Sequence, residues 1–496
     1  MSQGSDSKVL AIVIDAAEPK LVRQMIDRDD LPVLKALLSA GVWKKVSAPA
    51  DIGSGAVWPT FITGTDPQVH GIHGEWRWHP SEMTLSRYQG RDLIPFWQTL
   101  ADNGTSIGIL DLPFMPMIGM DDGFEISEWA PHDVIEGHIQ VAPEKIKTLV
   151  SKSPPHALSS DRLKTEGPKD VEGLERLNTA CLEGIGLRGK LAQQLLHDTN
   201  PRLAIIAFTE IHRTAHFVWH GVEPANEVYA KELFANLPAL KPDLKDLLRE
   251  VDRQIGILIE KCAKDATILV FSLHGMRPAH GALAFLAPLL VEMGFARLAD
   301  WRGQSWKERA LTLMAAVKRR SPAVFKKLYY RSLPQTTTHR LARPTMLPAY
   351  DWERTRAFSL PTDQHGWVQI NLRGRESRGI VTAEDYQKIC SEIEAKLLAL
   401  TTNEGKQLVK KVIRTSQTAE EALASSIPDL VVHWANTVFE SPLRIKGSRV
   451  NNAPVGTYTG QHAGEGFCIL KGIANSELPD VLLAKDFGAL ISRSLS

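Results

Sequence analysis

Cysteine is scarce in this chain. The 496 residues hold four, Cys181, Cys262, Cys390 and Cys468, far apart and with no CxxC pairing. That excludes a disulfide framework or a cysteine zinc site and leaves them as reduced core residues. Long apolar runs are also missing: no stretch approaches the roughly 18 residues that suggest a membrane-spanning helix. The opening MSQGSDSKVL lacks the charged, apolar and small-residue order of a secretory signal, so the expected location is cytoplasmic. Neither sign of charge dominates, with 58 Lys and Arg against 57 Asp and Glu and a net charge of +1. Nothing in that balance calls for a nucleic-acid partner. Internal repeats and long low-complexity linkers are absent. What is present, 43% hydrophobic and 23% charged residues, describes an ordinary globular protein with a sizeable core or two or three lobes. Its oligomeric state is not legible.

Short β-branched runs alternate with longer segments of helical period. KVLAIVID, SIGILDL, RLAIIAF, ATILVFSLH and DLVVHW read as buried strands, and the alternation predicts an α/β fold with a mostly parallel sheet between helical layers. Ligands of such sheets gather beyond the carboxyl ends of the strands. The polar residues expected there are Asp15, Glu210, His212 and His274, which meet only if the strand order brings three strands together.

Other segments read as additions. From Trp301 to Met346 there are eleven Lys and Arg against one acid, Glu308, in basic amphipathic helices that form either a solvated cap or a surface attracting an anionic substrate or lipid. The expected division is a core over 8–283 with inserted helical segments at about 135–190, a basic helical cap over 284–350, and the rest of the core over 351–496 with an α+β insert at about 373–424.

Two motifs mislead. GIGLRGKL matches GxGxxG at Gly184, Gly186 and Gly189 and nearly matches a phosphate loop. Leu191 replaces the hydroxyl that would meet magnesium, however, and a helix-like segment precedes it where a strand is required. The GSG at Gly53–Gly55 is flanked by Ile52 and Ala56, so it is not the GxSxG elbow of serine esterases. HExxH does not occur.

FTEIHRTAHFVWH, directly after a strand, sets His212 and His216 four residues apart, stacked on one face of a helical turn as two neighbouring metal ligands require. Further back, VLAIVIDAAEPKLVRQMIDRDDLPVLKALLSAGV and SAPADIGSGAVWPTFITGTDPQVHGIHGE, followed by VFSLHGM, IPDLVVHW and TGQHAGEGFCILKG, span most of the chain. Together they resemble the alkaline phosphatase superfamily, in particular the type I phosphodiesterase/nucleotide pyrophosphatase branch.

The resemblance implies an alkaline-phosphatase-like fold with cap insertions, a two-metal site and a nucleophile at Ser54 that opens a helix. For the first metal site it implies His212, His216 and His462, and for the second Asp15, Ser54, Leu273 and His274. Two carboxylate positions of the family pattern are thus replaced, by His212 and Leu273, and leucine cannot bind a metal. The second site is expected to be weaker, empty, or helped by Glu210 as a substitute ligand. A three-histidine set suits zinc with an open fourth position, so the expected cofactor is a divalent ion, zinc, in one or two copies. His220, His280 and His433 read as satisfied core or surface residues, and His70 and His73 as structural.

The implied chemistry is hydrolysis of a small anionic phosphate ester, phosphodiesters favoured, through a phosphoseryl intermediate. Sulfatase chemistry is disfavoured because Ala56 and Trp58 stand where its proline and arginine belong. A transferase or lyase on the same metal site in a biosynthetic pathway, or a non-catalytic binding protein, are the alternatives.

Overall fold

The structure is a computed structural model that describes residues 7–88, 90–130, 139–159, 168, 170–225, 240–279, 285–300, 347–361, 364–402, 404–435, 443–445, 448–450 and 458–496. The basic segment Trp301–Met346 and His280 lie outside the described residues.

A nine-stranded sheet forms the frame. In chain order its strands are β1 (Val9–Ile14), β2 (Val42–Ser47), β5 (Ile107–Leu110), β6 (Gly123–Ser127), β7 (Gln140–Ala142), β8 (Leu203–Phe208), β9 (Thr267–Ser272), β18 (Glu465–Lys471) and β19 (Val481–Leu483). The spatial order is β19-β2-β18-β9-β1-β8-β5-β6-β7. From β9 to β6 the neighbours are parallel, whereas β18 runs antiparallel to both β2 and β9. Strands β3 (Trp76–His79) and β4 (Thr84–Arg87) form a hairpin, and β10 (Gly275–Pro278) pairs antiparallel with β17 (Gly460–Ala463). A further hairpin joins β15 (Leu443–Ile445) and β16 (Ser448–Val450).

The central strands are apolar throughout because both faces are covered. In β1, Leu10, Ile12 and Ile14 pack with the helices Val171–Thr199 and Leu244–Cys262. Val9, Ala11 and Val13 face the other way, toward the helices Val57–Thr63 and Phe487–Leu495. That is the two-residue alternation of a strand, and each fully buried side chain of this kind contributes about 1.5–3 kcal/mol. The helix Leu244–Cys262 is closed at its start by a capping box between Asp243 and Asp246, which satisfies two donors that would otherwise lack partners.

DLVVHW is a correction. It forms β14 (Leu430–Trp434), not in the main sheet but in a separate four-stranded one with β11 (Ala357–Leu360), β12 (Gly366–Ile370) and β13 (Val409–Arg414), ordered β11-β12-β14-β13 and antiparallel throughout. The helix Ala383–Leu398 covers this sheet in a core of its own. The α+β unit therefore begins well before residue 373 and ends beyond 424. No helix among the described residues is long and apolar enough to cross a membrane.

The GxGxxG match lies inside the 29-residue helix Val171–Thr199, and its glycines serve packing. A Cβ on Gly184 would come within 2.1 Å of His156 Nε2, and one on Gly189 within 1.9 Å of Gln254 Oε1.

Candidate metal and nucleophile site

The strand order β9-β1-β8 brings three carboxyl ends side by side. Asp15 follows β1, its backbone N–H donating to the Phe208 carbonyl at 3.0 Å, and Ala16 then turns the chain with φ 57°. After β8, Thr209 precedes the helix Glu210–Val218, which carries His212 and His216. Beyond β9 stand Leu273 and His274. The fourth contributor arrives from far along the chain: β17 pairs with β10 so that His462 lies opposite Met276.

This ribbon docks on the histidine helix. The Thr459 N–H donates to the His216 carbonyl at 2.8 Å, and a Cβ on Gly460 would come within 2.3 Å of the Ala215 carbonyl oxygen. The docking also sets a tautomer. His216 Nδ1–H donates to the Gly460 carbonyl at 3.0 Å, so its Nε2 carries the lone pair. That Nε2 lies 3.0 Å from His212 Nε2, which in turn lies 2.8 Å from His462 Nε2. His212 Nδ1 faces Asp15 at 3.1 Å, the outer-carboxylate arrangement that orients a metal-binding imidazole.

Burial holds His212 near a pKa of about 4, with Arg213 adding to the effect, and holds His274 at about 4 despite Asp15. At neutral pH both rings are therefore uncharged. Imidazole lone pairs this close repel one another unless a cation or proton lies between them, and the ligand atoms of His212, His216 and His462 all fall within 4.8 Å of one another. Three imidazole nitrogens at such separations fit one tetrahedral ion with a free position.

The second set is thinner. His274 Nδ1–H points to the Gly275 carbonyl at 3.3 Å, leaving Nε2 as an acceptor 3.8 Å from Asp15 Oδ1. Leu273 is 1% exposed and packs in the core with Val57, Phe61 and Phe271, so it offers no ligand.

Ser54 begins a 3-10 turn, Ser54–Ala56, that leads into the helix Val57–Thr63. Its glycine neighbours allow a close approach to the HGIHGE segment: a Cβ on Gly53 would come within 2.0 Å of the His73 carbonyl oxygen, and one on Gly55 within 2.6 Å of Gly74 Cα. Asp51, three residues before Ser54, and His462 both line a cavity of about 630 Å³, with Ala50, His365, Lys410 and His433 among its walls.

Glu210 is not brought to the histidines. It opens the helix rather than extending β8, and its carboxylate accepts from Arg188 at 2.9 Å and faces His156 at 3.2 Å. Arg188 is fully buried and also reaches Asp111 at 2.8 Å and Thr209 at 3.2 Å. Burial alone would raise the Glu210 pKa, but Arg188 and His156 outweigh it and hold the carboxylate ionised. Glu210 thus anchors the start of the histidine helix. His70 takes a structural part, with Nε2 3.0 Å from the Thr60 hydroxyl, and His220 is buried with Nδ1 3.3 Å from the Thr459 hydroxyl.

Residues missed in the sequence cluster on the second sheet: His365, Trp367 and His433 all reach the backbone just before Ser54. Their acceptors lie more than 300 residues away in sequence, so no local spacing signals them.

The fold is alkaline-phosphatase-like. Phosphonoacetate hydrolase from Sinorhizobium meliloti 1021, solved with phosphonoformate and with phosphonoacetate, is similar at a TM-score of 0.53 and 15% identity, over 99% of this chain and 96% of that one. Human ectonucleotide pyrophosphatase/phosphodiesterase 5 is similar at a TM-score of 0.45 and 11% identity, over 99% of this chain and 95% of that one. No curated protein matches by sequence. The sequence pattern of one family, type I phosphodiesterase/nucleotide pyrophosphatase, matches residues 9–453, and the chain belongs to that family.

Proposed function

We propose that the chain is a metal-dependent hydrolase of small anionic phosphate esters, phosphodiesters favoured, that works through a phosphoseryl intermediate. Family membership supports phosphoester hydrolysis of the nucleotide pyrophosphatase/phosphodiesterase type. The observation that carries the metal dependence is the convergence of three imidazole nitrogens from His212, His216 and His462. These residues would hold one divalent ion, zinc by the chemistry of the donors. Asp15, His274 and Ser54 would hold a second more weakly, with no carboxylate at position 273.

A cation held by these residues would supply Lewis acidity toward the phosphoryl oxygens and would favour the ionised serine. The chain supplies the rest. The Ser54 hydroxyl attacks phosphorus in line, the alcohol leaves with the bridging oxygen, and water then cleaves the phosphoserine. Asp15 keeps His212 turned toward its two partners, and the Gly460 carbonyl does the same for His216.

Turnover of bis(4-nitrophenyl) phosphate by wild type and Ser54→Ala, with metal content measured on both, tests this reading. The expected result is loss of turnover in Ser54→Ala with metal retained. Undiminished turnover in the variant overturns the covalent route, and a wild type that binds no stoichiometric metal overturns the metal dependence.

A further inference from the structure

Three consecutive backbone carbonyls run up to the Ser54 turn, and each is capped by a ring N–H from the second sheet. His365 Nε2 lies 3.0 Å from the Ala50 oxygen, His433 Nε2 2.8 Å from the Asp51 oxygen, and Trp367 Nε1 2.7 Å from the Ile52 oxygen. A carbonyl only accepts, so both imidazoles must carry their proton on Nε2. The β12·β14 register, Gly366 opposite Val432, places His365 and His433 across from one another, and their rings stack at 3.9 Å and 27°. Lys411, on β13, adds an ion pair to Asp51 at 2.8 Å.

Trp367 does more than donate. Its ring occupies the space that side chains at 53 and 74 would need: a Cβ on Gly53 would come within 2.7 Å of it and one on Gly74 within 2.4 Å. His73, 2% exposed, meets the same indole edge-to-face at 4.7 Å. The Ser54 turn is therefore gripped between the HGIHGE segment and an indole from the second sheet.

We propose that the second sheet is a positioning device for Ser54, with His365, Trp367 and His433 as its positioning residues. It fixes the backbone at residues 50–53 so that the serine is presented in one orientation. The inference rests on the reading of Ser54 as nucleophile. The physical need is clear: a nucleophile displaced by about 1 Å loses on the order of 100-fold in rate, and a short turn between a strand and a seven-residue helix has few bonds of its own. Within the segment, the Ile52 and Gly53 N–H groups both share the Pro49 carbonyl, and the Ala56 N–H donates to Gly53.

The test compares His433→Leu, which removes the donor, with His433→Gln, whose amide nitrogen restores it near the same place, and with Trp367→Phe. Amide hydrogen exchange at Ile52, Gly53 and Ala56 reports the grip directly, while kcat and KM for bis(4-nitrophenyl) phosphate report its use. His433→Leu and Trp367→Phe are expected to speed exchange at those amides and lower kcat roughly 10- to 100-fold. KM, metal content and exchange elsewhere should stay unchanged, and His433→Gln should recover most of the loss. Unchanged exchange at 50–56, unchanged kcat, or equal impairment in the Leu and Gln variants overturns the proposal. Turnover surviving in Ser54→Ala overturns the nucleophile reading instead, while the exchange measurement still judges the grip.

Discussion

Asp15 and His212 face one another at 3.1 Å, with Asp15 almost wholly buried. The carboxylate that the family pattern implies as a ligand to a second ion would therefore also steer the ligand proposed for the first. An oriented imidazole binds metal more tightly than a free one, because its rotation is already restricted and its far nitrogen is more basic. Asp15→Asn is expected to weaken binding of the first ion by about 10- to 100-fold. Competition with a chromophoric zinc chelator measures it, and an unchanged affinity would remove Asp15 from this role.

Arg188 pairs with two buried carboxylates, Asp111 and Glu210, and its side chain is wholly enclosed. Arg188→Met removes the guanidinium from both and leaves Glu210 only its contact with His156. A loss of about 3–5 kcal/mol is expected, read as a drop in the urea midpoint. The double variant Arg188→Met with Glu210→Gln should lose less than the sum of the two singles.

Gly184→Ala should destabilise the protein even though alanine in a helix interior is worth up to about 1 kcal/mol over glycine. The new methyl meets His156 Nε2, and His156 is itself pinned between Glu210 and the Trp129 ring. Overpacking of about 1–3 kcal/mol exceeds the helical gain. A higher melting temperature in this variant would show that His156 moves freely.

His73 gives the pH dependence a sign. Burial, with His70 adding to it, lowers its pKa from the ordinary 6.5 to about 3 in the folded chain. The unfolded chain takes up that proton first as pH falls. The contribution is full above pH 6.5 and is lost progressively on acidification toward 3, with a slope of about 1.4 kcal/mol per pH unit for this one group. Urea midpoints measured at half-unit steps from pH 7 to 4 should fall. His73→Phe, which cannot take the proton, should flatten the curve.

Much of the frame was legible because parallel strands covered on both faces announce themselves as unbroken apolar runs. VLAIVI, LAIIAF and TILVFS read correctly, and three of the polar residues at their ends, Asp15, His212 and His274, proved to be neighbours. The same signal failed for DLVVHW, since a buried strand looks alike in any sheet. Glu210 was misread for a different reason. Its partner Arg188 sits inside a helical segment whose glycines mimic a nucleotide loop, and nothing local shows that an arginine is enclosed. His433 passed as an ordinary satisfied core or surface histidine because the carbonyl it holds lies 382 residues earlier.

The distance between His212 and His462 along the chain, 250 residues, bears on synthesis. A ribosome must extrude the ribbon that carries His462 before the third imidazole can meet the other two. Until then the early segment offers only the i,i+4 pair of His212 and His216, with no Gly460 carbonyl to fix the His216 ring. An ion that binds the finished trio but not the partial one favours chains that include His462 over those cut before it. Metal uptake would then mark the moment the carboxyl-terminal ribbon has docked, and a chain cut short before Thr459 would be recognisable by its failure to hold the ion.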